Sequence, residues 1–245
     1  MVADFITTEY AGRYATIDQI VDAIAAAKKK ISRSTVIWNV NELIKQDKAI
    51  RVGRGVYEFR YKPYFEMKLT EDAETVRELL LKDFKYMKAT VTDTVSLSQF
   101  MNLQPFSTTV VIEVRKKAVD SVLTMLRRSN LAACSKKDFD VFEKYANSTV
   151  PVIVCPEYSA NPSLIENNGI RIANIEKILV DLVCDKRIYG QYQGEELNNI
   201  FMGATKKYRV NYSQLLKYAA LRKRKADVIF CLNQCDEYRE IKGLL

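Results

Sequence analysis

Residues 31–59 read ISRSTVIWNVNELIKQDKAIRVGRGVYEF. The stretch divides near Asp47. Before it, Val36, Val40, Leu43 and Ile44 recur at helical spacing, which predicts a helix from about Arg33 to Gln46 with one apolar face. Ser32 is a natural N-cap, because its hydroxyl can accept from a free N–H of the first turn. The flanking and opposite surface carries Ser34, Thr35, Trp38, Asn39, Asn41, Glu42 and Lys45. After Asp47, two short runs suited to strands, 49–52 and 56–61, flank Gly53-Arg54-Gly55. The glycines supply the positive φ that a tight hairpin needs, so its tip carries Arg54, with Arg51 just before it.

Toward the N-terminus, residues 2–10 read as a short helix. TIDQIVDAIAAA at 16–27 reads as a second, with Ile17, Ile20, Val21 and Ile24 at helical spacing. Lys28 to Lys30 lead into a turn. Three helices and a basic hairpin are the layout of a winged helix-turn-helix. The third helix would enter a major groove, where base edges present a readable pattern of donors and acceptors. In that reading Ser34, Thr35 and Asn39 contact bases, and Trp38 packs on a thymine methyl group or a sugar. Arg33 and Lys45 meet phosphates, Arg54 reaches the backbone or the neighbouring minor groove, and Lys30 and Arg51 are further DNA-binding candidates. A plainer reading stands beside it: a solvated lysine run, Trp38 buried against a second domain, and a simple soluble hairpin tip.

Charge agrees with a polyanionic partner. Residues 1–65 hold 11 Lys/Arg against 7 Asp/Glu, a net +4; the longer remainder holds 27 against 23, also +4. The excess is therefore denser at the N-terminus. The 245 residues contain no histidine, which removes serine triads, cysteine–histidine dyads and histidine bases from consideration. The five cysteines are dispersed except for Cys231-x-x-x-Cys235, and structural zinc usually needs four ligands, so free thiols and no metal are expected. No apolar run approaches the roughly 18–20 residues that span a bilayer, and Asp4 and Glu9 interrupt any signal segment. The expectation is a cytoplasmic protein without a membrane partner.

Pro63 and the stretch to Thr70 look like a boundary, which gives a winged domain over 1–65 and a larger mixed α/β domain over 66–245, an α+β chain overall. Helices are expected at 71–83, 116–128, 174–185, 195–206 and 212–225, and strands near 86–91, 108–114, 138–142 and 151–154. On the helix at 174–185, Asn174 is a natural N-cap and one face is apolar. Glu176, Lys177, Asp181 and Asp185 occupy the other, with Lys177 and Asp181 spaced for an i,i+4 pair. Tyr192 and Gln193 lie between Gly190 and Gly194, and Arg222 and Arg224 belong to a basic run at a helix end.

Residues 31–59 resemble the N-terminal winged helix of AbiEi-like antitoxins of bacterial abortive-infection systems. NIEKILVDLVCDKRIYGQYQGEELNNIF at 174–201 and YRVNYSQLLKYAALRKRK at 208–225 resemble the C-terminal part of the same group. The resemblance implies a repressor of its own two-gene operon that also counters a nucleotidyltransferase toxin, with or without a stable complex. It makes operator DNA the partner, leaves a homodimer on DNA open, and calls for neither cofactor nor catalytic residue. Glu176, Lys177, Asp181, Asp185, Tyr192, Gln193, Arg222 and Arg224 become candidates for the antitoxin role, although helix packing alone accounts for most of them. Two alternatives remain. One is a regulator that senses a small molecule. The other is a metal-dependent nuclease, for which Asp93 and Glu113-Val114-Arg115 come nearest to an acid followed by Glu-x-Lys; arginine is a poor substitute for that lysine.

Overall fold

Hydroxyl caps set the two helices that frame the quoted stretch. The computed structural model describes residues 2–27, 31–105, 107–145, 151–158, 162–165 and 170–245. After α1 (Val2–Glu9) and a short strand β1 (Tyr14–Thr16), the Thr16 hydroxyl accepts from Gln19 N–H while Gln19 Oε1 accepts from Thr16 N–H, and this reciprocal cap opens α2 (Ile17–Ala26). Ser32 accepts from Thr35 N–H and opens α3 (Arg33–Lys45). Strands β2 (Ile50–Gly53) and β3 (Val56–Glu58) follow, and β1, β3 and β2 form an antiparallel three-stranded sheet in that order. Gly55 takes φ +75° at the hairpin tip, the conformation expected of a glycine there.

The hairpin has two buried faces. Ala49, Tyr57 and Phe59 pack inward on Ile20, Ile24, Val36, Val40 and Leu43 of α2 and α3. Ile50, Val52 and Val56 point the other way, into the core of the following residues. Gly53 lacks a Cβ where one would run into Leu245 and press on Ser213, so the hairpin lies close against the C-terminal helices.

The rest of the chain is mixed α/β. A six-stranded sheet runs in the order β6-β7-β5-β4-β9-β8. Its strands are β4 (Ala89–Asp93), β5 (Val110–Val114), β6 (Ala133–Ser135), β7 (Val152–Pro156), β8 (Ser163–Ile165) and β9 (Ile170–Ala173). Pairs β4·β5 and β8·β9 are antiparallel and the others parallel. Strands of this kind, buried on both faces, alternate between two cores. Val110, Ile112, Val114, Val152 and Val154 face α4 (Glu71–Asp83) and α5 (Val119–Arg128). Val111, Ile153 and Cys155 face a helical layer built from α7 (Ile175–Cys184), α8 (Glu195–Lys207), α9 (Tyr212–Leu221), α10 (Lys225–Leu232) and α11 (Asp236–Ile241). The hairpin docks on this same layer.

Two expected elements differ. The strand at 138–142 is instead the start of a helix, α6 (Phe139–Tyr145), and the neighbouring strand is β6. Phe139 is buried while Val141 is 62% exposed, so residues two apart do not share one covered face as a half-buried strand requires. The helix expected over 212–225 ends at Leu221. Lys223 adopts φ +57°, with Lys223 N–H donating to Ala220 O at 3.0 Å and Arg224 N–H to Ala219 O at 2.9 Å, a left-handed C-terminal stop. Asp47 and Asn130 end α3 and α5 in the same way.

Because Ile50 belongs to the core of the C-terminal layer, its truncation reports on the whole chain. Ile50→Ala should cost about 2–5 kcal/mol and shift a single cooperative unfolding transition followed by calorimetry. Two transitions, of which only one moves, would show that the halves do not share a core.

Candidate functional site

Two groups of polar residues stand out, one exposed and one buried. The exposed group is the outer face of α3. Ser34, Thr35 and Trp38 are exposed, Trp38 to 62%, and the C-terminal layer leaves them uncovered. Ser34 Oγ and Thr35 Oγ1 each lie 2.8 Å from Ser32 Oγ, so the first turn presents a cluster of three hydroxyls. Asn39 is half-buried and its amide donates to Thr35 O at 2.8 Å. Arg33 is paired with Asp18, and Lys45 with Glu42 at 2.6 Å; all four lie toward solvent, where such pairs are worth ~1 kcal/mol at most and open readily to another partner. Arg51 donates from Nε to Gly53 O at 3.3 Å, and the Arg54 side chain is exposed at the hairpin tip. The Arg54 backbone N–H donates to Ser213 Oγ at 3.0 Å, which ties the tip to α9. Lys30 lies outside the described residues.

The buried group gathers four of the C-terminal candidates. Lys177 Nζ pairs with Asp181 and with Glu113 Oε2 at 2.9 Å. Asp181 also pairs with Arg222 and accepts from the Tyr218 hydroxyl at 3.0 Å. Arg222 reaches Asp185 Oδ2 at 2.8 Å, and Lys136 pairs with Asp185 from the other side. The Tyr158 ring lies 3.8 Å from the Arg222 guanidinium carbon. Three carboxylates thus meet three cations at the seam between β5, α7 and α9.

The electrostatics follow from that balance. Burial works against the charge of Lys177, but Asp181 and Glu113 outweigh it and hold the ammonium well above its ordinary range. Burial pushes the Asp185 carboxyl up, but Arg222 and Lys136 outweigh it, and the group stays below the usual value. Glu176 lies apart from the network: burial raises it, while its carboxylate accepts Asn211 N–H at 2.7 Å and joins the starts of α7 and α9. The view of Glu176, Lys177 and Asp181 as a polar face therefore needs correcting, because all three are buried. Arg222 is likewise buried rather than part of a solvated basic run. Arg224 is exposed, as are Lys223 and Lys225 beside it, and lies 3.3 Å from Asp227. Tyr192 is fully buried, and Gln193 donates to Leu182 O and Tyr189 O at 2.9 and 3.0 Å, which fixes the turn between α7 and α8.

The nuclease pair is not formed. Glu113 pairs in register with Thr90 and faces the helical layer, whereas Asp93 pairs with Val110 and belongs to the opposite face of the pleat. Asp93 instead accepts from Thr70 N–H and its hydroxyl, at 2.7 and 2.8 Å, and from Val95 N–H at 2.9 Å. Glu113 is buried at 4% exposure and holds Lys177. Among the described residues no cluster of three or more potential metal ligands occurs, and no helix is long and apolar enough to cross a membrane. The five cysteines are free thiols.

With this geometry in place, the chain can be set beside known proteins. Its residues 35–237 match the model of a family of unknown function, DUF6577, and the chain belongs to that family. The match begins within α3 and continues through the hairpin and the six-stranded sheet into α11. No curated protein matches. Among solved structures, the crystal structure of the RV2827C protein from Mycobacterium tuberculosis is similar at 12% identity, over 96% of this chain and 80% of that one, with a TM-score of 0.29.

Removing one member of a buried ion network leaves its partners uncompensated. Lys177→Met should therefore cost about 3–5 kcal/mol in urea unfolding. Lys136→Met, whose side chain keeps 30% exposure, should cost ~1 kcal/mol or less. Equal costs for the two would contradict the gradient of burial across the network.

Proposed function

We propose that residues 1–65 form a winged helix-turn-helix that binds double-stranded operator DNA, and that the chain is a transcriptional repressor. Support comes first from order and pairing: three helices, a short strand after the first, and a closing hairpin in one antiparallel sheet. The single observation that carries the reading is the free face of α3. The C-terminal layer covers the hairpin's outer face, yet Ser34, Thr35 and Trp38 stay open. A tryptophan exposed beside hydroxyls and arginines suits a groove that offers base edges, thymine methyls and phosphates.

The antitoxin role, countering a nucleotidyltransferase, rests on the resemblance of residues 31–59, 174–201 and 208–225 to AbiEi-like antitoxins. The two roles are best separated by substitution. A fragment starting near Leu69 would remove Phe65, which packs edge-on against Tyr208 at 5.2 Å and stacks with Phe100 at 6.3 Å. A second reading, a regulator that senses a small molecule, is favoured by one feature. A cleft of about 280 Å3 lies between β2 and the starts of α7 and α9, lined by Arg51, Tyr64, Glu176 and Gln214 among others.

The test is binding of the full chain to its own promoter at rising salt. Affinity should fall steeply, with a slope of about −0.9 per phosphate neutralised. Trp38→Ala should lower operator affinity by ~1–3 kcal/mol without changing the melting temperature, whereas Arg54→Ala should weaken operator and random DNA alike. The same two substitutions, combined, should abolish repression in a promoter–reporter strain and still protect cells expressing the neighbouring toxin. No promoter binding at low salt would sink the DNA reading. Loss of protection in the combined variant would sink the division of roles.

A further inference from the structure

The segment joining the two halves inverts the usual burial of side chains. Lys62 is buried at 4% exposure, paired with Glu58 at 3.1 Å and donating to Thr205 O at 3.0 Å. On either side of it Tyr61 and Tyr64 stand out at 68% and 66% exposure. An inward lysine between outward aromatic rings is the opposite of what core formation selects, so these rings are not there to be buried. The backbone that carries them is pinned. Arg209 N–H donates to Pro63 O at 3.0 Å, and Arg209 Nε bonds Lys62 O. The Arg209 guanidinium, its charge met by Asp47 at 2.6 Å, sits 4.4 Å from the Tyr64 ring centroid and 5.9 Å from that of Tyr61.

We propose that this linker groove is a stacking platform for the unpaired bases of a single-stranded nucleic acid, separate from the duplex site on α3. The groove encloses about 490 Å3. Tyr61, Tyr64 and Tyr208 supply aromatic surface along it, and Lys68 and Lys207 stand exposed at its rim; of its two acids, Asp47 is paired with Arg209 and Glu66 is exposed. Lys207 Nζ also lies 5.1 Å from the Tyr208 ring centroid. Aromatic faces interleaved with ammonium groups match the alternation of base and phosphate along a single strand. A duplex keeps its base faces stacked inside and cannot use such a surface, whereas a proline-rich peptide could use the rings but not the lysines. The groove borders Asp47, just past the end of α3, while Ser34 and Thr35 lie at its start. A helix of 13 residues puts the two surfaces about 20 Å apart.

The experiment is fluorescence anisotropy of the full chain with an end-labelled oligouridylate of roughly a dozen nucleotides at low salt. The wild type binds it. Tyr61→Ala with Tyr64→Ala weakens binding by about tenfold or more, Tyr61→Phe with Tyr64→Phe retains it, and promoter-duplex affinity stays the same in both. Lys68→Gln with Lys207→Gln, a second variant that leaves the rings in place, binds more weakly and with a shallower salt dependence. Three results overturn the proposal: no binding of the single strand by the wild type, wild-type affinity in the alanine pair, or as large a loss in the phenylalanine pair as in the alanine pair. Should the alanine pair unfold, the lysine pair decides, and an unchanged salt dependence there overturns the proposal. Displacement of the oligonucleotide by a proline-rich peptide but not by unlabelled single strands would also overturn it, in favour of a peptide groove. Failure of the promoter-duplex reading would remove only the duplex comparison and leave the single-strand outcomes unaffected, since those involve neither α3 nor Arg54.

Discussion

Strands β2 and β3 are four and three residues long, too short to hold a hairpin together by their own ladder. What holds them is burial on both faces. Ala49, Tyr57 and Phe59 close the core of α2 and α3, and Ile50, Val52 and Val56 are taken into the helical layer of the larger half. Burying side chains of that size is worth ~1.5–3 kcal/mol each, enough to make the hairpin a shared wall. Gly53 lets Leu245 and Ser213 approach that wall, and Arg54 is tied by its backbone to α9. The consequence for function is directional. The C-terminal layer occupies the hairpin's outer face and leaves the outer face of α3 to solvent.

The same layer contains the buried ion network, and the two are linked through α9. Ser213 holds the hairpin tip at the start of that helix, while Tyr218 and Arg222 at its end hold Asp181. Buried ion pairs add little net stability compared with apolar packing, but breaking one is costly. In the network α7, α9 and β5 meet with these charges paired, so displacing one of these elements would leave buried charges uncompensated. This accounts for Lys177, Asp181, Asp185 and Arg222 without assigning them any contact with a partner molecule.

Much of this was legible in the sequence. The caps at Ser32 and Asn174, the helix carrying Trp38 and the glycine hairpin follow from local rules, and local rules act over a few residues. Two things were not legible, for identifiable reasons. Helix stops at Asp47, Asn130 and Lys223 use left-handed residues other than glycine, so the end of α9 carries no composition signal. The burial of Lys177 and Asp181 depends on partners 64 and 41 residues away in the chain, Glu113 and Arg222. A hint was present nonetheless. Ile178, Leu179, Val180, Leu182 and Val183 surround α7 almost completely, and a helix apolar all round is a buried one whose charges must be paired. For the candidate interface, residue type identified the α3 surface, but only the docking geometry distinguishes a free Trp38 from one buried against the second half.

The chain contains one tryptophan, and it stands on the face in question. Its emission therefore reports directly on whether α3 meets DNA. Titrating the full chain with a labelled promoter duplex, while following Trp38 emission and the anisotropy of the label together, tests the central claim. The account predicts the red-shifted emission of a solvated indole in the free protein, then quenching and a blue shift along the same curve as the anisotropy. Anisotropy that reports saturable binding while Trp38 emission stays unchanged would place the DNA elsewhere on the molecule and contradict it.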